Sequence, residues 1–134
     1  MIESYAYWIS TALLSLLYLA SATLYIVKRA WVRQALTDLG YPAYLVPFLI
    51  AVKLLAVAAI LSRVNVVLSD LAYAGAFYHL LLSALAHIGV HKPKDAVPAV
   101  IGLVLLGASF LTQNAARDEP SPDAPVAAAY LSTP

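Results

Sequence analysis

Residues 5–27 read YAYWISTALLSLLYLASATLYIV, and the nearest charges on either side are Glu3 and Lys28. A helix of that length rises about 34 Å, enough to cross a hydrocarbon layer of roughly 30 Å with some tilt. It lacks the basic start of a cleavable secretory signal and exceeds the roughly 7–15 apolar residues of one, so it is expected to stay in the mature chain. Tyr5, Tyr7 and Trp8 at one end and Tyr25 and Trp31 at the other stand where interfacial aromatic belts belong.

The same reading extends along the chain. Trp31, Val32, Ala35, Leu36 and Leu39 recur at helical spacing with Arg33, Gln34 and Asp38 opposite, which predicts a short interfacial helix after the first span, ended by Gly40 and Pro42. Further spans are predicted over about 43–61, 71–90 and 96–112, separated by a turn over Arg63 to Asp70 and a break at Lys92, Pro93, Lys94 and Asp95. The fold class that follows is all-α, a polytopic membrane four-helix bundle occupying 1–114. From 115 to 134 the composition turns to Asp, Glu, Pro and Ala, and a disordered Pro/Ala-rich tail is expected.

Composition sets the limits on function. The chain is 134 residues long, 63% apolar and 11% charged, with a mean hydropathy of +0.83. Soluble domains are roughly half apolar and a quarter charged, so the bilayer is the first partner. The eight basic and seven acidic residues form no basic face, which excludes nucleic acid. Cysteine is absent, so disulfides, thiolate chemistry and iron–sulfur ligation are outside the chain's own means. Lys28, Arg29, Arg33, Lys92 and Lys94 lie on one side of the predicted membrane against Arg63 and Arg117 on the other. That bias places both termini outside the cytoplasm.

Within the spans Lys53 is the costliest residue, at about 2.5–3.5 kcal/mol on insertion scales. It lies eight residues from Leu61, and His79 lies eight from Leu71 on the antiparallel neighbour, so each sits roughly 12 Å below the same surface. The matched depth predicts that Lys53 and His79 face each other, with Ser15 the nearest polar group of the first helix. Two cations would repel, so the histidine of the pair is expected to be neutral. His79, Ser83 and His87 share one helical stripe beside Ala72, Gly75, Ala76 and Ala86, whereas Tyr78, Leu81, Leu85 and Ile88 fall on the lipid side. Lys53, His79, Ser83 and His87 are therefore the candidate ligand-binding pocket. Read without a ligand, Lys53 is a structural anchor, His87 an interhelical hydrogen bonder, and Tyr18, Tyr25 and Tyr73 packing or belt residues. His87 and His91 stand four apart, but Gly89 and the start of a loop break the turn that would aim both at one metal, and no metal site is assigned. His79 and His87 project from one helix about 12 Å apart and cannot flank one haem iron. No phosphate loop, nucleophile elbow or paired carboxylate is present in the spans, so no catalytic residue is named.

Leu39, Gly40, Tyr41, Pro42, Ala43 and Tyr44, then Pro47 and Lys53-Leu54-Leu55, resemble the second-helix signature of the DoxX-like family of small bacterial membrane proteins. Ala72 to Phe77, with Ala84 and His87, resemble its third-helix block, and Trp8 and Thr11 fit its first helix. The resemblance covers about residues 5–112 and departs from the pattern at Ala22, where a glycine is common, and in the second loop, which lacks the usual proline. Lys53 and His87 match the pattern, whereas His79 rests on the depth argument alone. The resemblance implies a four-helix bundle of the bacterial inner membrane whose relatives include membrane subunits of thiosulfate:quinone oxidoreductase, members of oxidative-stress complexes and chaperone-like proteins. It points to a small membrane subunit or accessory of a quinone-linked or redox-stress system, with a quinone as the ligand a polar pocket would take. A membrane or redox protein partner and a homo-oligomer both stay open. So do two other readings, a non-enzymatic assembly scaffold and a stand-alone membrane enzyme acting on a lipophilic substrate.

Overall fold

Five α-helices account for most of residues 2–127, the part of the chain that the computed structural model describes. They are α1 (Ile2–Val27), α2 (Arg29–Asp38), α3 (Leu45–Ser62), α4 (Val66–Gly89) and α5 (Val97–Thr112), with 3-10 turns at Pro93–Ala96 and Gln113–Ala116. α1, α3, α4 and the segment Pro93–Ala116 around α5 are each long and apolar enough to cross a membrane. α1 packs on α3 and α5, and α4 packs on α3 and α5, so the four close into a ring. Only 22% to 33% of each spanning window is buried inside the chain. The remaining leucines and valines face outward, where lipid solvates them at no cost and water would not.

The bundle interior holds Leu14 and Tyr18 of α1, Val57 and Ile60 of α3, Tyr73, Ala76 and Leu80 of α4, and Ala99 and Leu106 of α5. Ala22 is 1% exposed, a place only a small side chain fits. A second apolar cluster fixes α2: its Val32 and Leu36 pack on Val46 at the start of α3. α2 ends as its sequence predicts. Gly40 takes φ +88°, its N–H donates to Thr37 O at 2.9 Å, and Tyr41 N–H donates to Leu36 O at 2.9 Å, the Schellman pattern that a left-handed residue permits.

Two stretches differ from the sequence reading. α4 begins at Val66, five residues before the expected 71, because the Asn65 side chain caps it by accepting from Leu68 N–H at 3.1 Å. Ser69 and Asp70, which read as loop by polarity, are helical: Ser69 is fully buried and donates to Ala59 O of α3 at 3.1 Å. The second difference is the tail, expected to be disordered from 115. Residues 128–134 lie outside the described residues, but up to Ala127 the chain folds back, with Ser121, Ala124 and Ala127 buried. Asn114 holds it there, its Nδ2 donating to the carbonyls of Ser121, Ala124 and Pro125 at 3.0–3.2 Å and its Oδ1 accepting from Ser121 N–H at 2.8 Å.

Candidate functional site

Lys53 lies eight residues, about 12 Å, into α3 and is 4% exposed. Its Nζ donates to Ser21 Oγ at 2.8 Å and stands 3.7 Å from the centroid of the Tyr25 ring. Among the described residues those are its polar contacts, and no carboxylate pairs with it. An ammonium has three N–H donors. One hydrogen bond and one aromatic face offset part of the cost of burying it and leave donor capacity over.

His79 faces the same space from α4. Tyr18 Oη lies 3.2 Å from His79 Nδ1 and 3.4 Å from Ala76 O, and the Tyr18 and His79 rings meet edge to face. The phenol has one proton to give. Given to Nδ1, it leaves the ring proton on Nε2, which then donates; given to the carbonyl, it leaves Nε2 an acceptor. Among the described residues Nε2 has no hydrogen-bond partner, so it is the atom His79 offers to a ligand in either role.

Lys53 and His79 both line two spaces. One is a cleft of about 230 Å³ between α3 and α4 with Tyr18 at its base. The other, of about 440 Å³, lies under α2 and reaches Ser21, Tyr25, Ser83 and His87 before meeting Lys94 and Asp95. All four residues singled out from the sequence thus share one cavity. Ser83 and His87 line it at the α2 end, one and two turns beyond His79.

The first helix contributes other residues than depth counting suggests. The partner of Lys53 is Ser21, and no hydrogen bond joins Lys53 to Ser15. Counted from the α2 end, Ser21 is six residues inside α1 and Lys53 eight inside α3, a mismatch of about 3 Å that the lysine stem absorbs. Tyr18 and Tyr25, read as packing and belt residues, hold the imidazole and the ammonium instead. Their signal was in the sequence: Tyr18, Ser21 and Tyr25 are spaced i, i+3, i+7, one face of one helix. His87 makes no interhelical hydrogen bond through Nδ1, which is buried without a partner. His91 sits at φ 61° just past the end of α4, where its N–H donates to Ile88 O at 3.0 Å, so it does not share a helical face with His87. No group of three His, Asp or Glu side chains gathers among the described residues.

The opposite end of the bundle carries a separate polar core. Ser109 Oγ lies 2.6 Å from both Thr11 Oγ1 and Tyr73 Oη, all three residues being buried. Asp70 accepts from Gln113 Nε2 at 3.3 Å and from Ser121 Oγ, and Arg117 Nε donates to Gln113 Oε1 at 2.9 Å. Arg63 stacks over the Tyr7 and Trp8 rings and donates to Ala116 O. This network joins α1, α4, α5 and the tail, although Arg63 Nε and Arg117 Nη2 are buried without a partner among the described residues, and it is tied to no cavity that Lys53 lines.

In comparison with known proteins, the family model described as the DoxX-like family aligns with residues 9–109. That range takes in all of α2, α3 and α4, most of α1 and α5, and every residue of the Lys53 site. No curated protein and no solved structure matches the chain.

Proposed function

Since the chain belongs to the DoxX-like family, we propose that it is a small membrane subunit or accessory that holds the polar head of a lipophilic molecule, of which a quinone is the first example, at Lys53 and His79. The observation that carries this is the Lys53 ammonium, buried at mid-span, with no carboxylate among the described residues beside it, and facing a cavity. Ionisable groups at such depth face the bundle interior or a cavity and mark ligand or ion paths. A quinone head presents carbonyl oxygens, and the donor set fits them: Lys53 Nζ donates to one, while His79 Nε2 donates to a carbonyl or accepts from a hydroxyl. When bound, such a head would supply the redox chemistry that the cysteine-free chain lacks. Tyr18 sets the state of His79, and Ser21 with Tyr25 holds the ammonium.

The scaffold reading draws on the other polar core, where Thr11, Tyr73 and Ser109 lock three helices without touching a cavity of the Lys53 site. Native mass spectrometry of the protein extracted with its own lipids separates the two. Wild type is expected to carry a lipophilic molecule that Lys53→Met has lost, with thermal stability unchanged or raised, because an apolar side chain removes a buried charge. A lipophile retained by Lys53→Met would sink the pocket, and an empty wild type carrying a stoichiometric second polypeptide would establish the scaffold.

We orient the bundle with α2 toward the cytoplasm and both termini outside. Lys28, Arg29, Arg33, Lys92 and Lys94 are all exposed at the α2 end. At the other end Arg117 is buried and Arg63 half-buried over aromatic rings, so neither presents a free positive surface. The absence of native cysteine makes this easy to check. Asn65→Cys is expected to react with a membrane-impermeant maleimide in intact cells, and Lys92→Cys only after lysis; the reverse pattern would invert the orientation.

A further inference from the structure

The site opens on two sides, and the two openings differ in kind. The cavity under α2 meets the chain's charged surface at Lys94 and Asp95. The cleft between α3 and α4 has no charged group besides Lys53 at its base, where His79 and Tyr18 also stand. Its walls are the small residues Ala56, Ala59, Ala72 and Gly75, and its rim is formed by Leu55 and Leu71, 68% and 67% exposed. Leucines that exposed on spanning helices face hydrocarbon, so the mouth opens sideways into the bilayer. The cleft runs from His79 to Leu68, eleven residues of α4 or about 16 Å. It therefore extends from mid-depth through the leaflet opposite α2, with polar groups at one end only.

We infer that the α3–α4 cleft is the tail channel of the ligand, that a lipid-soluble molecule with a compact acceptor head and a single thin hydrocarbon tail slides in from the bilayer, and that Gly75 sets the width it accepts. This rests on the head-group reading above and adds the tail, the route and the residue that gates it. The single tail follows from the size, a cleft of about 230 Å³ between two adjacent helices that leads to one polar end. Because lipid is as apolar as the cleft walls, the tail adds little affinity through apolar transfer. Its fit in the cleft decides which molecules enter, and width is the controlling property.

Gly75 allows width to be changed without disturbing the fold. A Cβ built there meets no atom within 4 Å, and replacing a helical glycine raises intrinsic helix propensity. Gly75→Ala is expected to narrow the cleft slightly and Gly75→Leu to block it, both folding as well as wild type.

The test uses two probes on the full chain in nanodiscs, a decyl-tailed dimethoxy-methyl-benzoquinone and its tail-less parent. Wild type is expected to bind both. Gly75→Leu is expected to bind the tail-less probe as wild type does, which also reports an intact fold, and to lose affinity for the decyl probe by at least about tenfold, equivalent to about 1.4 kcal/mol. Gly75→Ala should fall between. Lys53→Met should lose both probes. Equal decyl binding by wild type and Gly75→Leu would overturn the tail channel while leaving the head site standing. Loss of both probes in Gly75→Leu and in Gly75→Ala would overturn it too, since Gly75 would then belong to the head site. Failure of wild type to bind either probe would overturn the head-group reading and this inference together.

Discussion

Gly102→Leu is expected to lower the thermal stability of the bundle, and to lower it more than Gly102→Ala does. α5 buries Ala99, Gly102, Leu106 and Ser109 on the face it turns inward. A Cβ on Gly102 would stand 2.9 Å from Leu80 Cδ2 of α4 and 3.1 Å from Leu17 Cδ2 of α1. The atoms met are the ends of flexible side chains, so Gly102→Ala can be accommodated by small shifts. A leucine adds three further carbons to a space already filled from both neighbours, and α5 must then retreat from α1 and α4 together. Overpacking costs about 1–3 kcal/mol, and displacing two contacts at once puts Gly102→Leu at the upper end of that range. The loss matters more here than in a soluble core, because close packing, not water exclusion, holds helices together in lipid. Thermal unfolding of the detergent-solubilised protein, followed by tryptophan fluorescence, reads the effect for Gly102→Ala and Gly102→Leu side by side. Equal melting temperatures for Gly102→Leu and wild type would show that α5 does not sit this close to α1 and α4.

The second large effect is local. Asn114→Ala removes one side chain that is 2% exposed and makes four hydrogen bonds to tail backbone. Each buried backbone group left unpaired costs about 1–3 kcal/mol, more in total than a short docked segment gains from Ala124 and Ala127. The expected result is release of residues 117–127 to water, where those groups are hydrated, with the four-helix bundle intact. Asp70 would lose Ser121 as a partner at the same time, and Gln113 would lose Arg117. Hydrogen exchange tests this directly: amides of the tail segment should lose protection by at least about tenfold, while those of α1, α3 and α4 keep theirs. Unchanged protection in the tail would mean that its apolar contacts hold it without Asn114.

How much of this was legible beforehand depended on the range of the interaction that decides it. The count of spans, the short helix after the first and the stop at Gly40 were readable, because each follows from a local property: apolar length, helical periodicity, or one residue's tolerance of positive φ. Lys53 stood out for the same reason, as a lone charge in an apolar run. The start of α4 did not, since Ser69 and Asp70 look like loop residues until α3 and the tail supply their partners. The tail failed to show for a related reason. Its Pro-rich composition argues for disorder, and the feature that orders it is a single asparagine belonging to the preceding helix end.

The sequence by itself therefore determined that this chain crosses a membrane with four helices and sets Lys53, His79, Ser83 and His87 at depths where they can meet. Tertiary structure alone decided that Ser21 and Tyr25 receive Lys53, that Tyr18 holds His79, and that a lipid-facing cleft with Gly75 in its wall leads to them. The physical reason is that burial in lipid depends on composition summed over about twenty residues of one helix. Contact across helices depends on rotation and axial register, which small residues such as Ala22, Ala76 and Gly102 set by how closely they let neighbouring backbones approach.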